Sequence, residues 1–403
     1  MSSPGCGCGC GFCDGDGDGE PIVGAGTQIV ERAKAAGTSW VDAGVSRMSS
    51  AVRSVYPRRV LPGRSAVDVV FAPADRLRLL SLRALGPVAR RLVRDRELRV
   101  ALIGASAVVA ALAGTLFLPW WLLALGPVIL GVPHIMADVR YLVVRPGFHK
   151  RALFWLLVAA PVIATLFGAG LRAGAIAVAG AGLAARGAAW WKRAIVVGAA
   201  TALGVCAWAY PWWSDLSFAH LHNVAAMVLW WVWRERKGFW HFVPIALFFL
   251  ALALIAAGAL EPLLFRSELF WSAPLGLDAN VQVPWLASEV PGEWAIRLSL
   301  SFVFAQSVHY AIWTRMIPEE DRSRDTPRTF AASFRALRAD LGWPLVAAGV
   351  LATLALCIWA TRDIPAARNT YLKTGLFHGH LELATFAMFF LEGARKTRSA
   401  RET

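Results

Sequence analysis

Charged residues are scarce in this chain of 403 residues: Asp, Glu, Lys and Arg make up 17%, while hydrophobic residues make up 57%. Soluble proteins carry about 25% charged residues, because their surface must be hydrated. The apolar residues also occur in runs of about 20, the length that crosses a hydrocarbon core of about 30 Å. This composition excludes a mainly soluble protein. It predicts an all-α, polytopic helical bundle in a lipid bilayer.

Several motifs of soluble enzymes are missing. We find no P-loop, no dinucleotide-binding fingerprint and no Ser-His-Asp order. An internal repeat, which would favour a secondary transporter, is also missing. The net charge of +14 would suggest nucleic acid in a soluble protein, but here the basic residues cluster in short loops beside apolar runs. The positive-inside rule explains them, and no nucleic-acid partner is expected.

The composition divides the chain into four regions. Residues 1–60 are predicted to be a disordered Cys/Gly-rich tail, 61–97 a basic juxtamembrane helix, 98–392 the transmembrane domain and 393–403 a basic tail. The helix either lies on an anionic membrane surface or is solvated. In the tail, the CxCxCxxC run of Cys6, Cys8, Cys10 and Cys13 either binds zinc or copper(I) or is an unstructured segment with reactive thiols.

Ten apolar spans are predicted within the transmembrane domain. They are Leu98–Leu118, Trp121–Val144, Ala152–Ala169, Ala173–Ala189, Ala194–Tyr210, Ser217–Trp233, Phe242–Leu260, Trp294–Met316, Trp343–Ala360 and Tyr371–Leu391. With both termini cytoplasmic, the basic loops lie on the inner side, which predicts a multi-pass protein of the cytoplasmic membrane. The long outer loop Glu261–Glu293 is expected to dip back into the membrane or to cap a cavity.

Six of the eight histidines lie within the predicted spans: His134, His220, His222, His309, His378 and His380. Ionisable side chains are costly in hydrocarbon, so they usually face the bundle interior and mark function. One buried histidine would ordinarily be a hydrogen-bonded packing residue, but six on four helices favour a shared metal or haem site. Structural hydrogen bonding between helices is the alternative.

The helical spacing of these residues indicates which of them can face one site. His134 and Asp138 share a helix face, so the carboxylate can orient the imidazole, and His378 and Glu382 are spaced in the same way. These two acids are the candidate catalytic residues. Members of an HxH pair point about 200° apart on a regular helix, so one histidine from each pair is expected at the site, with His134 and His309. His134 and His309 are predicted to lie nearer the inner side than His220 and His222, by about 10 Å. This difference leaves two separate sites or a haem pair open.

The segment 130–138, LGVPHIMAD, resembles the GxPHGxxD motif of the Brp/Blh-type β-carotene 15,15′-dioxygenases, with Ile135 in place of the motif's second glycine. The resemblance extends over residues 126–170. It implies a multi-span helical membrane protein that binds iron through histidines and cleaves carotenoids to retinal. His134 would then be an iron ligand. His220 lies where a second family histidine would fall, and His309 is similar to a later aromatic-rich histidine motif.

Three functions remain open. The first is an intramembrane iron enzyme, an oxygenase that acts on a lipid-soluble isoprenoid or acyl substrate, since imidazoles suit Fe(II). The second is a haem-binding electron-transfer protein with histidine pairs as axial ligands. The third is a transporter whose histidines and acids relay protons or metal ions.

Overall fold

The computed structural model describes residues 65–236, 238–323 and 325–393. The predicted tail 1–60, residues 61–64 of the juxtamembrane segment and the C-terminal tail from 394 onward lie outside this part of the chain. Every regular element in the described part is helical, which confirms the all-α prediction. The principal helices are α1 Ala66–Ala84, α2 Gly86–Arg94, α3 Arg96–Phe117, α4 Pro119–Asp138, α5 (152–164), α6 Gly170–Ala184, α7 Trp190–Ala209, α8 Pro211–Trp233, α9 Phe242–Ala256, α10 Ala279–Ala287, α11 Glu293–Ala311, α12 Phe330–Ala360, α13 Ile364–Gly375 and α14 Phe377–Glu392.

Five helical stretches are long and apolar enough to cross a membrane: Arg96–Phe117, Pro119–Val144, Ala152–Ala184, Trp190–Ala209 and Phe330–Ala360. They indicate a multi-pass membrane protein, but the predicted count of ten spans is wrong. Helix α9 has 15 residues, about 22 Å, which is less than the hydrocarbon thickness of about 30 Å. The last predicted span is divided between α13 and α14.

Two of the five stretches contain a backbone break. Within Ala152–Ala184, Phe167 and Gly168 leave the helical conformation and Gly170 has a positive φ. The chain reverses there, so that α6 packs against the helical turns at 155–164. Gly180 lies directly against the backbone carbonyl of Leu157. In Phe330–Ala360, Gly342 has φ 78° and separates the more polar first part of the stretch from the apolar second part.

A network of buried ion pairs closes one end of the bundle. Arg99 lies 2.6 Å from Glu319, whose side chain is fully buried. Burial lowers the pKa of Arg322 to about 10, and the Glu319 carboxylate opposes that shift. Glu320 accepts hydrogen bonds from Arg234 and Arg236. These contacts join the start of α3, the end of α8 and the segment that follows α11.

The segment 261–293 folds back onto the bundle. Helix α10 packs along α11. Gln282 accepts a hydrogen bond from the buried Arg368 of α13, and the Arg368 guanidinium lies over the Trp285 ring at 4.4 Å. Trp120 of α4 donates a hydrogen bond to the carbonyl of Phe270. The segment therefore fixes the position of α13, which borders the site.

Candidate metal centre

Three histidines from distant parts of the chain meet inside the bundle. His134 lies on α4, His309 on α11 and His378 on α14. All three are buried, and one ring nitrogen of each lies within 4.8 Å of the others. Helix α4 packs against α11 and also contacts α14. The helix packing therefore produces a triad that no local motif encodes.

The closest approach in the triad has the spacing of two metal ligands. His134 Nε2 and His378 Nε2 are 3.2 Å apart. Two nitrogens bound to one ion at about 2.0–2.1 Å in tetrahedral geometry would be about 3.3 Å apart. Two axial ligands of a haem would lie about 4 Å apart on opposite faces of the ring. The observed spacing leaves no room for a porphyrin between these two nitrogens.

Backbone carbonyls orient the imidazole rings. His134 Nδ1 lies 3.2 Å from the carbonyl oxygen of Leu130. His222 Nδ1 lies at the same distance from the carbonyl of Phe218, and His378 Nδ1 contacts the carbonyl of Gly375. A proton on Nδ1 that is donated to a carbonyl leaves the Nε2 lone pair free. These contacts favour the tautomer that leaves Nε2 free to bind a metal.

His222 adds a fourth ring to the triad. Its ring centre is 5.1 Å from that of His309 and 5.5 Å from that of His378. One histidine of each HxH pair thus reaches the cluster, as the helical spacing predicts. The four rings meet despite the depth difference estimated from the sequence, because that estimate placed each residue along a straight, perpendicular span.

The other two candidate histidines lie elsewhere. Both ring nitrogens of His220 face backbone carbonyls, those of Leu216 at 2.9 Å and Leu298 at 3.2 Å. His380 stacks on Phe218, with ring centres 4.3 Å apart and planes 4° from parallel. The structure therefore does not bring His220 and His380 into the triad, and their assignment as metal ligands stays a prediction. The same geometry applies to both pairs, because residues two apart leave a helix in different directions.

Two carboxyl groups lie beside the histidines. Asp138, His378 and Glu382 form a second group whose ligand atoms are within 4.8 Å of one another. Both acids are buried. The Asp138 oxygens have no hydrogen-bond partner within the described chain, and the Trp313 side chain lies at the Glu382 carboxyl group. The Glu382 Oε1 atom lies 3.5 Å from His309 Nε2. Two buried acids without a cationic side chain are costly, and a bound cation would compensate them.

The expected pairing of Asp138 with His134 does not occur. The carbonyl of Leu130 lies at His134 Nδ1 instead, and the Tyr371 hydroxyl is 3.5 Å from the same nitrogen. Asp138 faces the group of His378 and Glu382. Sharing a helix face brings two residues to one side of a helix, but it does not make their side chains touch when a neighbouring helix offers other partners.

Two tyrosines at the centre were not predicted. The Tyr310 ring is 4.7 Å from the His134 ring, and the Tyr310 hydroxyl accepts a hydrogen bond from Gln306. Tyr371 lies against Gly131, where any side chain would meet its ring. Tyr371 lies on α13 and His378 on α14, so helical spacing along the sequence did not predict that both side chains reach His134.

A small cavity adjoins the cluster. Its volume is about 30 Å³, enough for a molecule the size of dioxygen or for about two waters. It is lined by Ala219, His222, Phe302, Gln306, His309, Tyr310, Tyr371, Leu372, Gly375, Leu376 and His378. Leu376 is 36% exposed on the outer face of the bundle. The wall at this point is therefore one side chain thick.

The residues present fit a metal ion by the chemistry of their donor atoms. They offer three or four imidazoles and two carboxylates, a set that suits zinc, iron, manganese or similar ions. The two ring nitrogens of His309 are buried and without hydrogen-bond partners within the described chain, a property that His380 shares. Only His309 lies in the triad, where an ion would be that partner. Comparisons with protein-family models, curated proteins and solved structures find no match.

Proposed function

We propose that this chain is an integral membrane metalloenzyme, an iron-dependent oxygenase that acts on a lipid-soluble substrate. The observation that carries the proposal is the buried triad of His134, His309 and His378 beside the two buried carboxyl groups of Asp138 and Glu382. The resemblance of residues 130–138 to the dioxygenase motif points to iron and to an isoprenoid substrate. An iron(II) ion in this donor set would supply the activation of dioxygen.

The side chains have separate roles in this proposal. His134, His309 and His378 bind the ion, and the carbonyls of Leu130 and Gly375 hold two of these rings in position. Asp138 and Glu382 offset the positive charge of the ion, and either can hold a proton beside it. The aromatic wall of Tyr310 and Tyr371 excludes bulk water. This division explains why so many polar groups are buried in an apolar bundle.

The cavity defines how a substrate must enter. A volume of about 30 Å³ admits a diatomic gas but not a hydrocarbon chain. Leu372 and Leu376 form the thin outer wall, so a chain-like substrate would enter by displacing them. We propose that a lipid-soluble substrate reaches the cluster from the membrane between α13 and the neighbouring helices.

Metal analysis together with an optical spectrum tests the proposal. The protein is purified in mild detergent after expression with added iron. We expect close to stoichiometric iron, no Soret band, and oxygen uptake when a carotenoid or another isoprenoid is added. A Soret band would favour the haem alternative. A metal-free protein that takes up no iron on reconstitution would contradict the metal centre itself.

A further inference from the structure

A large basic groove lies at the end of the bundle where α3 begins. Its volume is about 840 Å³, far larger than the cavity at the histidines. It is lined by Pro87, Arg90, Arg91, Arg94, Asp95, Arg96, Glu97, Arg234 and Asp325. Residues of α2, the first turn of α3, the end of α8 and the loop before α12 thus form one surface.

The charges in the groove are unevenly balanced. Asp325 is 2.9 Å from Arg96, and Glu97 is 3.6 Å from Arg234. The Asp95 side chain accepts a hydrogen bond from the backbone N–H of Leu98 at the start of α3. The acids that line the groove are therefore already engaged. The groove keeps an excess of positive charge.

The three arginines of α2 supply that excess. Arg90, Arg91 and Arg94 are exposed, and within the described chain none of them forms an ion pair or side-chain hydrogen bond. Arg96 is only 5% exposed, and its Nε also lacks a hydrogen-bond partner among the described residues. Guanidinium groups bind phosphate oxygens in pairs, with charge-assisted hydrogen bonds. The groove therefore suits a phosphate-bearing anion.

The position of the groove indicates the source of that phosphate. Arg96 is the first residue of an apolar stretch that can cross a membrane. Beside it, Gly238 lies against the Glu97 carboxylate, and the residues that follow are exposed aromatics: Phe239 is 73% and Trp240 45% exposed. Exposed aromatic rings are typical of the membrane–water interface. The groove therefore opens at the level of the lipid headgroups.

An apolar track leads away from the groove along α3. Leu102 is 46% and Val109 57% exposed, and their spacing puts both on one face of the helix. These exposed apolar side chains can contact the acyl chains of a lipid. A free phosphate ion would make no use of it.

We propose that the groove binds the headgroup of an anionic phospholipid, with Arg90, Arg91 and Arg94 around the phosphate and the acyl chains along α3. The site is separate from the histidine cluster, and it does not depend on the proposed enzyme activity. The bound lipid would contact both α2 and the start of α3.

The test measures lipid binding by the full chain. The protein is stripped of lipid in a neutral detergent, phosphatidylglycerol or phosphatidylcholine is added, and bound lipid is counted by native mass spectrometry. We expect saturable binding of phosphatidylglycerol. About 1 kcal/mol for each arginine near a membrane surface corresponds to about 100-fold weaker binding in the triple variant Arg90→Gln/Arg91→Gln/Arg94→Gln. The Arg→Lys triple keeps the charge and should retain most of the binding.

A matched control variant and a measurement with inorganic phosphate complete the test. Arg83→Gln/Arg266→Gln/Arg362→Gln removes three exposed arginines outside the groove and should bind phosphatidylglycerol like the wild type. Equal losses in both triple variants would overturn the proposal. Thermal stabilisation by inorganic phosphate as large as that by phosphatidylglycerol would assign the groove to free phosphate and would also overturn it. If the Gln triple fails to fold, the single variant Arg91→Gln gives the same comparison.

Discussion

His134 Nε2 and His378 Nε2 face each other at 3.2 Å, although the two residues are 244 positions apart in the chain. His134 lies in the middle of a long apolar helix. His378 lies just after the break between α13 and α14. Because α13 and α14 both contact α4, the break lets the chain present Tyr371 and His378 to the same imidazole. Their separation suits two ligands of one metal ion, and it is also a hydrogen-bond distance, so metal content distinguishes the two arrangements.

The two HxH pairs provide matched tests of the site. His378→Ala should remove most of the bound metal, because its ring nitrogen belongs to the triad. His222→Ala should weaken metal binding to a smaller extent, because its ring borders the triad. Their neighbours His220→Ala and His380→Ala should retain it, since those rings contact backbone carbonyls or Phe218 instead. The measurement is metal content per chain after purification. Equal metal loss in both members of a pair would contradict the assignment.

His134→Ala and His309→Ala should lose metal as completely as His378→Ala, with His149→Ala as a control near the end of the bundle. A purely structural role predicts another result: a modest loss of stability, about 1 kcal/mol for a hydrogen bond within a membrane, with no metal to lose. Thermal unfolding recorded together with metal content separates the two explanations.

Asp138→Asn and Glu382→Gln should weaken metal binding by about 10–100-fold, the range found for groups that support a metal site. Without metal, Asp138→Asn should be at least as stable as the wild type, because the amide replaces a buried carboxyl group that has no hydrogen-bond partner within the described chain. The measurement is the melting temperature with and without added iron. A loss of stability in metal-free Asp138→Asn would show that this carboxyl group has a structural partner.

Glu319→Gln should destabilise the protein by about 3–5 kcal/mol, since it leaves the buried Arg99 guanidinium without its counter-charge. Glu293→Gln is the matched control. The Glu293 carboxylate also lies 2.8 Å from an arginine, Arg297, but the Glu293 side chain is 70% exposed. The melting temperature of the Glu293→Gln variant should therefore hardly change. Similar shifts in both variants would contradict a special role for the buried pair.

Gly180→Ala should prevent α5 and α6 from packing, because its Cβ would collide with the backbone carbonyl of Leu157, which cannot rotate away. Gly198→Ala on α7 is the control: its Cβ would meet nothing within 4 Å, and alanine favours a helix over glycine by about 1 kcal/mol. Folded yield, measured by size-exclusion chromatography in detergent, should fall only for Gly180→Ala.

The orientation in the membrane stays a prediction. Arg145 lies 2.8 Å from Asp321, so the loops after α4 and after α11 share one end of the bundle. A cysteine placed at Ser323 should be labelled only from the cytoplasmic side, and one placed at Ala273 only from the opposite side. Labelling of the Ser323 position from outside would reverse the orientation derived from the basic loops.

The sequence alone determined the class of the protein. Runs of apolar residues predict membrane helices whatever their neighbours, because a backbone in hydrocarbon must satisfy its hydrogen bonds within each segment. Helical periodicity also predicted that one histidine of each HxH pair reaches the site, since the directions of residues i and i+2 follow from helix geometry alone.

Only the tertiary structure decided the rest. It selected His222 and His378 over His220 and His380, and it gave the Nδ1 contacts of His134 to the Leu130 carbonyl and Tyr371 rather than to Asp138. It also gave five long apolar helical stretches in place of ten predicted spans: α9 is short, and the last predicted span is divided between α13 and α14. Depth, tilt and the pairing of side chains depend on the packing of neighbouring helices, and the pattern along one segment does not contain that information.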